Sequence, residues 1–453
     1  MHHLIHNLLM KVAVPQRLKL MKLAQEQQKW GLDQIITYQE QRIRNMIQYC
    51  WDYVPFYRLH WQGFISSPEE IRSISDLQKL PIVTKADVRK HYHQIITTKS
   101  DVKSSEARSG GSTGQPMIFR LTSYEEELGW GLMYTGWYRA GYRVGYPFLV
   151  VGGESIGVGL GDKRNWKDFI VNRWVTSGSN LSLARAQALA KSSFFKKIRF
   201  IYGYPNAIRE LGELLDKVGQ CIPVNLEGIV CTAEVMLPEV RERIRTLYGG
   251  VPVLDQWGLY DGGLQACEGI EEDGFHVCFQ RSIMEIVDDN GKQITEPGQP
   301  GHAVATSLTN FAFPFVRYDT GDIVHWKTRE PSPSGICWPR LGPIDGRTGD
   351  VIYLSSGRTI TMPGLTLVMR WMDNLWQYQF IQTGPDRVTA RLDFGTETPI
   401  SEAEAIALLK EKIASEINWT VIFGPVELTK NGKLLVIRND WLRSQGLQRP
   451  SEI

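Results

Sequence analysis

The sequence predicts an α/β protein in two unequal parts, a large N-terminal domain of residues 1–346 and a small α+β C-terminal domain of residues 347–453. Three observations carry this reading. From about residue 109 onward, Gly-rich turns alternate with apolar strand-like runs and helical runs, the pattern of a sheet covered by helices. After about residue 346 the character changes to strand-like stretches around one capped helix. A chain of 453 residues, 42% of them hydrophobic, can also bury cores for two or three domains at roughly 150 residues each.

The elements follow in order. Residues from about 16 to 60 are rich in Gln, Lys and Leu, have no glycine before Gly31, and read as helical. After the extended Leu80-Pro81-Ile82-Val83, Thr84 is an N-cap for a helix starting at Lys85, because its hydroxyl can accept an orphan first-turn N–H. Phe148 to Val151, Phe200 to Gly203 and Gly228 to Cys231 are short apolar runs, as buried strands are. Trp376 to Asp393 holds two strand-like stretches around the turn Gly384-Pro385-Asp386. Ser401-Glu402-Ala403-Glu404 is a capping box, and the helix after it places Ile406, Leu409, Ile413 and Ile417 on one face. Val421 to Val426 and Leu434 to Arg438 read as strands flanking the turn Asn431-Gly432. No internal repeat is visible.

Composition narrows the function classes. Lys+Arg 51 against Asp+Glu 49 gives a formal charge of +2, too balanced for the broad positive footprint of nucleic-acid binding, so small molecules are the expected partners. The six cysteines, Cys50, Cys221, Cys231, Cys267, Cys278 and Cys337, lack the dense spacing of a secreted disulfide framework. A reducing compartment fits them. The apolar stretch from Leu4 to Met10 is short and lacks a basic n-region, and no run approaches the roughly 20 apolar residues of a membrane span. The expectation is a cytoplasmic protein without a transmembrane segment. Contact of the N-terminus with a membrane surface and a homodimeric assembly are both compatible with the sequence.

The most informative local segment is Arg108 to Pro116, which carries Ser109, Gly110, Gly111, Ser112, Thr113 and Gly114. Its glycines permit backbone conformations that aim successive N–H groups into one concavity, and its hydroxyls add donors, so together they can wrap a phosphate. The Gly-Lys-Ser/Thr ending of a Walker loop is absent. Alone, such a stretch is more often an ordinary turn. A second glycine cluster at 152–161 misses the dinucleotide spacing, since Asp162 stands where glycine is needed, and reads as turns. There is no Gly-x-Ser-x-Gly elbow, and the nine histidines show no partner spacing for a hydrolase triad.

Several motifs follow that loop in order: Thr232-Ala233-Glu234, Asp255-Gln256-Trp257-Gly258-Leu259-Tyr260-Asp261, Arg317-Tyr318-Asp319-Thr320-Gly321-Asp322, Gly346-Arg347-Thr348-Gly349-Asp350 and Asn431-Gly432-Lys433. The succession resembles the adenylate-forming superfamily, in particular its phenylacetate-CoA ligase and CapK-like branch, from about Pro55-Phe56-Tyr57 to the C-terminal domain. The resemblance implies a large adenylate-forming domain and a small mobile one, with a hinge near residues 347–350. It implies that a carboxylic acid is activated by ATP as an acyl adenylate and passed to a thiol acceptor, coenzyme A, with Mg2+. In the CapK-like alternative the acyl group goes to a sugar hydroxyl or an amine.

Site residues carry over by position. Ser109 to Gly114 match the loop that holds the ATP phosphates, and Ala233 and Glu234 match a segment beside the adenosine. Trp257 stands where an aromatic ring covers the adenine, with Gln256, Gly258 and Tyr260 around it. Asp322 matches the carboxylate on the ribose hydroxyls, Arg347 a second ribose or phosphate contact, and Asp261 the magnesium ligand. Lys433 matches the lysine that stabilises charge while the acid attacks the α-phosphate. Such chemistry relies on positioned charge and oriented donors, with no side-chain nucleophile.

Three positions depart from the family pattern. Tyr260-Asp261 replaces Ser/Thr-Glu, which shortens the metal-binding carboxylate by one methylene. Met117 stands where lysine is common, and Gly349 where the hinge usually has Asp or Lys. These departures motivate a rival reading, a nucleotide- or acyl-binding protein without catalysis. Cys267, His276, Cys278 and Cys337 form a candidate zinc set implied by the same branch, against the alternative of isolated buried thiols. Trp130, Tyr134, Trp137 and Tyr138 recur at helical spacing, more often core than pocket, and lean toward an aromatic acid. Tyr202-Gly203-Tyr204-Pro205 matches a family segment near the substrate.

Overall fold

The computed structural model describes residues 2–109, 117–153, 156–158, 164–178, 181–219, 223–344, 346–347, 351–356, 358–360, 365, 369, 372, 375–395, 400–429 and 434–445. The region from about 16 to 60 is helical as its composition predicts, with helices Pro15–Gln27, Leu32–Tyr53 and Pro55–His60, and a further helix, His2–Ala13, precedes it. Pro15 and Pro55 each open a helix, where a missing N–H costs nothing and the fixed φ is already helical. Thr84 caps Lys85–Lys90: its hydroxyl accepts the Asp87 N–H while the Asp87 carboxylate accepts the Thr84 N–H at 2.9 Å.

The centre is a nine-stranded sheet. Five strands are parallel, in the order Arg173–Ser177, Phe148–Gly152, Phe200–Gly203, Gly228–Thr232 and Val253–Gly258. An antiparallel extension of Gln265–Glu268, Phe275–Val277, Arg340–Leu341 and Trp326–Thr328 continues it. Successive side chains of a strand leave opposite faces, and both faces are covered. Leu149, Val151 and Ile201 enter one apolar cluster with the helices Pro205–Lys217 and Pro238–Leu247, whereas Phe148, Val150 and Tyr202 enter another with Tyr134 and Trp137. Double burial explains why these strands read as unbroken apolar runs.

Beside this sheet stands a four-stranded antiparallel one, Ser282–Val287, Gly301–Ser307, Tyr318–Val324 and Gly346–Arg347. The C-terminal part has its own four-stranded sheet, in the order Asn418–Phe423, Arg387–Asp393, Gln377–Gly384 and Ile437–Asn439. The central pair turns at Asp386, whose φ of 52° is the left-handed conformation that Asp tolerates in turns. Two sequence expectations shift here. The segments near Val421 and Leu434 do not form a hairpin: Asn418–Phe423 and Ile437–Asn439 lie on opposite edges, each parallel to its inner neighbour, and Leu428 and Leu434 make only an isolated bridge. The capped helix Glu402–Lys412 buries Ala405 and Leu409, with Ile406 partly buried, and it ends before Ile413, so Ile417 leads into the next strand instead.

The two parts share a core. Leu149, Ile201 and Cys231 of the large sheet belong to the same apolar cluster as Phe380, Val388 and Trp419 of the small one. No described helix is long and apolar enough to cross a membrane. Gly349 of the expected hinge lies outside the described residues.

Candidate active site

The loop read as a phosphate cradle is the tip of a two-stranded hairpin, Ser105–Arg108 with Ile118–Leu121. Ser109 closes its base: its N–H donates to Met117 O at 2.9 Å, and its hydroxyl accepts the Met117 N–H at 3.1 Å. Gly110, Gly111, Ser112, Thr113 and Gly114 lie outside the described residues. Phe119 of this hairpin meets the exposed Tyr260 ring edge-on, with centroids 5.5 Å apart, so the hairpin stands against the turn that carries Asp261.

Asp261 is buried and accepts the Tyr318 phenol O–H at 2.7 Å. Its position depends on the two glycines that follow. Gly262 and Gly263 have φ of 79° and 74°, and a Cβ at Gly262 would lie 2.9 Å from Ala305 and 3.2 Å from Tyr318. Ser282 Oγ donates to Gly262 O at 2.6 Å and holds the turn. Tyr318 in turn opens the strand that carries Asp322, so one strand serves both carboxylates.

Asp322 is buried and accepts the indole N–H of half-buried Trp257 at 3.2 Å. Across the sheet Asp322 is the register partner of Arg347, whose side chain lies outside the described residues. The strand under Trp257 is braced by ions that no sequence motif announced. Arg241 grips Glu268 at 2.7 and 2.9 Å, and Glu268 also accepts the Asp255 N–H at 2.7 Å. Burial, then the neighbouring Glu268 charge, pushes the Asp255 carboxyl far above its usual range. Gln256 turns its side chain to the core, where it accepts the Trp137 N–H at 3.0 Å, while Gly258 is exposed.

Ala233 has φ of 69°, a left-handed conformation that its Cβ disfavours. The next residue, Glu234, accepts from Asn206 Nδ2 at 2.9 Å and from the backbone N–H of Leu434 at 2.9 Å. Lys433 itself lies outside the described residues. Asn206 was missed by sequence reasoning, although it follows the Tyr202 to Pro205 segment directly.

The candidate zinc set is not assembled. Cys267 and His276 are register partners and Cys278 is two residues further on, yet among the described residues no group of three His, Cys, Asp or Glu side chains is placed to hold a metal. A cation stands beside these residues instead: Arg139 donates to Cys267 O at 2.9 Å. Burial pushes both thiols, Cys267 and Cys278, up to about 12 and pulls His276 down to about 3. Cys337 is partly exposed, its thiol directed to Gly335 O. The aromatic stripe is core: Tyr134 and Trp137 are fully buried, with Trp130 and Tyr138 packed against the same cluster.

No protein-family model matches the chain. In sequence it is 28% identical over 323 residues to a phenylacetate-coenzyme A ligase of Thermus thermophilus, across 70% of this chain and 71% of that protein. Protein CapK of Staphylococcus aureus is 23% identical across 71% of this chain and 70% of its own length. In structure the chain matches 2-hydroxyisobutyryl-CoA ligase in its postadenylation state, with an acyl-AMP bound there, at a TM-score of 0.73, 17% identity and 93% of both chains. The same neighbour in its thioesterification state scores 0.58 at 18% identity over 93% of both chains. The chain therefore resembles the phenylacetate-CoA ligases and CapK in sequence and has the α/β fold of the adenylate-forming CoA ligases.

Proposed function

We propose that the protein is an AMP-forming acid–thiol ligase. It activates a carboxylic acid with ATP as an enzyme-bound acyl adenylate, then transfers the acyl group to a thiol, coenzyme A. The observation that carries this reading is the Trp257–Asp322 hydrogen bond, which joins motifs 65 residues apart into one surface where a flat ring lies beside a buried carboxylate. That pairing suits a nucleoside: the indole covers the base, and the carboxylate accepts from the ribose hydroxyls.

In the first half-reaction a carboxylate oxygen of the acid attacks the α-phosphorus and pyrophosphate leaves. In the second, the thiolate sulfur attacks the acyl carbonyl and AMP leaves. Asp261, its rotamer fixed by Tyr318, fits the hard-oxygen chemistry of Mg2+. The ion would supply charge neutralisation to the phosphates. Lys433 adds positive charge at the α-phosphate, and Ser109 anchors the loop that wraps the others.

Similarity to phenylacetate-CoA ligases supports aryl acids as the first substrates to try. The test is acid-dependent ATP–pyrophosphate exchange with aryl, fatty and amino acids, followed by product analysis with coenzyme A, sugar and amine acceptors. At least one acid is expected to support exchange, and Asp261→Ala to abolish its magnesium-dependent part. ATP binding without exchange for any acid would favour the non-catalytic reading.

A further inference from the structure

The contacts of Glu234 run between the two domains, and their direction assigns them a task. Glu234 Oε1 accepts the Leu434 N–H at 2.9 Å, so the carboxylate holds the backbone residue immediately after Lys433. Glu234 Oε2 accepts from Asn206 Nδ2 at 2.9 Å, and Asn206 Oδ1 accepts from Gln377 Nε2. Asn206 sits in the first turn of Pro205–Lys217 in the large domain, and Gln377 opens the strand Gln377–Gly384 of the small one. Both amides are buried, at 7% and 4% exposure, where an amide without its partner is costly. From one carboxylate two connections therefore reach the small domain, one to its sheet and one to its Lys433 segment.

We propose that Glu234, Asn206 and Gln377 form a clasp that holds the small domain in the orientation of the first half-reaction. They are positioning residues that present Lys433 without touching the reacting atoms. This rests on the adenylation reading above. The chemistry of the clasp suits repeated opening. Among the described residues its charge stays on the large domain with Asn206, while the small domain brings a neutral amide and a backbone N–H, both readily hydrated on release. The left-handed Ala233 fixes the direction from which Glu234 approaches.

The test uses Gln377→Leu, which removes the amide, and Gln377→Glu, which keeps the shape and sets a carboxylate against Asn206 Oδ1. Circular dichroism and the melting temperature establish that each variant is folded. Acid-dependent pyrophosphate exchange is expected to fall by roughly tenfold, while thioester formation from supplied acyl adenylate and coenzyme A is kept or rises. Deuterium exchange at the Leu434 amide, read by mass spectrometry, is expected to quicken in both variants. Unchanged protection of that amide would overturn the clasp, and so would equal loss of both half-reactions in a folded variant. The amide measurement needs no turnover. If the unmodified protein exchanges pyrophosphate with no acid, the adenylation reading fails while the amide result still decides whether the clasp exists.

Discussion

The surface proposed to face the nucleotide and the seam proposed between the two domains hold their carboxylates by different means. On the first, Asp261 and Asp322 are buried, and each accepts from an aromatic donor of its own rigid body, Tyr318 and Trp257. At the seam, Glu234 is met by an amide from one domain and a backbone N–H from the other, and Asn206 meets Gln377 amide to amide. Aromatic donors have few torsions and are fixed by packing, so they preorganise a surface that should not move during chemistry. The amide-to-amide contact contributes about 1 kcal/mol net and those to the carboxylate roughly 1.5–3 kcal/mol each, and both kinds exchange for water once the seam is wetted. They suit a contact that opens in each cycle. The difference separates what must stay in place from what must let go.

The largest expected effect breaks the seam's purpose. Lys433→Ala should cut pyrophosphate exchange by about 10²–10³-fold, the usual cost of removing one preorganised charge from a transition state. Thioester formation from supplied acyl adenylate should survive, because the cation is not needed there. Equal loss of both steps in a folded variant would mean that Lys433 does not act through a moving domain.

A smaller effect sharpens the description of the rigid surface. Trp257→Phe keeps a flat ring but removes the N–H to Asp322. The KM for ATP should rise by about tenfold with kcat little changed, as loss of a hydrogen bond to a charged group implies. An unaltered KM in steady-state kinetics would show that the indole does not hold the carboxylate in place.

The smallest effect lies away from both regions and tests the unassembled zinc set. His276 is held neutral, its pKa lowered to about 3 by burial and then by Arg139 and Arg340. The unfolded chain takes up a proton near the ordinary histidine value of about 6.5, so the stabilisation is present above that pH and is lost as pH falls toward the folded value. Between about pH 7 and pH 5.5, urea unfolding should lose about 1 kcal/mol that a His276→Gln variant does not lose. Parallel pH curves for the two proteins would place a charge or a metal on His276 after all.

Local signals were legible where the physics is local. The caps at Thr84 and Ser401 need only neighbours three residues away, and both appear as read. The strands Phe148–Gly152, Phe200–Gly203 and Gly228–Thr232 announced themselves by double burial. Edge strands of the small sheet were harder: Asn418–Phe423 is half exposed, and its parallel partner is reached only through the helix Glu402–Lys412. In the site, ordered motifs led to Trp257, Asp261 and Asp322, which the fold brings to one surface. Asn206 and Gln377 were invisible, because an amide in a strand or a first helical turn carries no pattern and gains its meaning only from a partner 171 residues away. Cys267, His276 and Cys278 left two readings open, a metal set or isolated buried thiols, and among the described residues Cys267 and Cys278 are free buried thiols, while Arg139 beside them was not foreseeable from spacing.

If the paired surface of Trp257 and Asp322 serves adenylation, acid-dependent ATP–pyrophosphate exchange reads that step alone. Label should pass from pyrophosphate into ATP only when a suitable acid is present, with AMP released once coenzyme A is added. ATP bound by the folded protein, with no exchange for any acid of the aryl, fatty and amino-acid panel, would contradict that role.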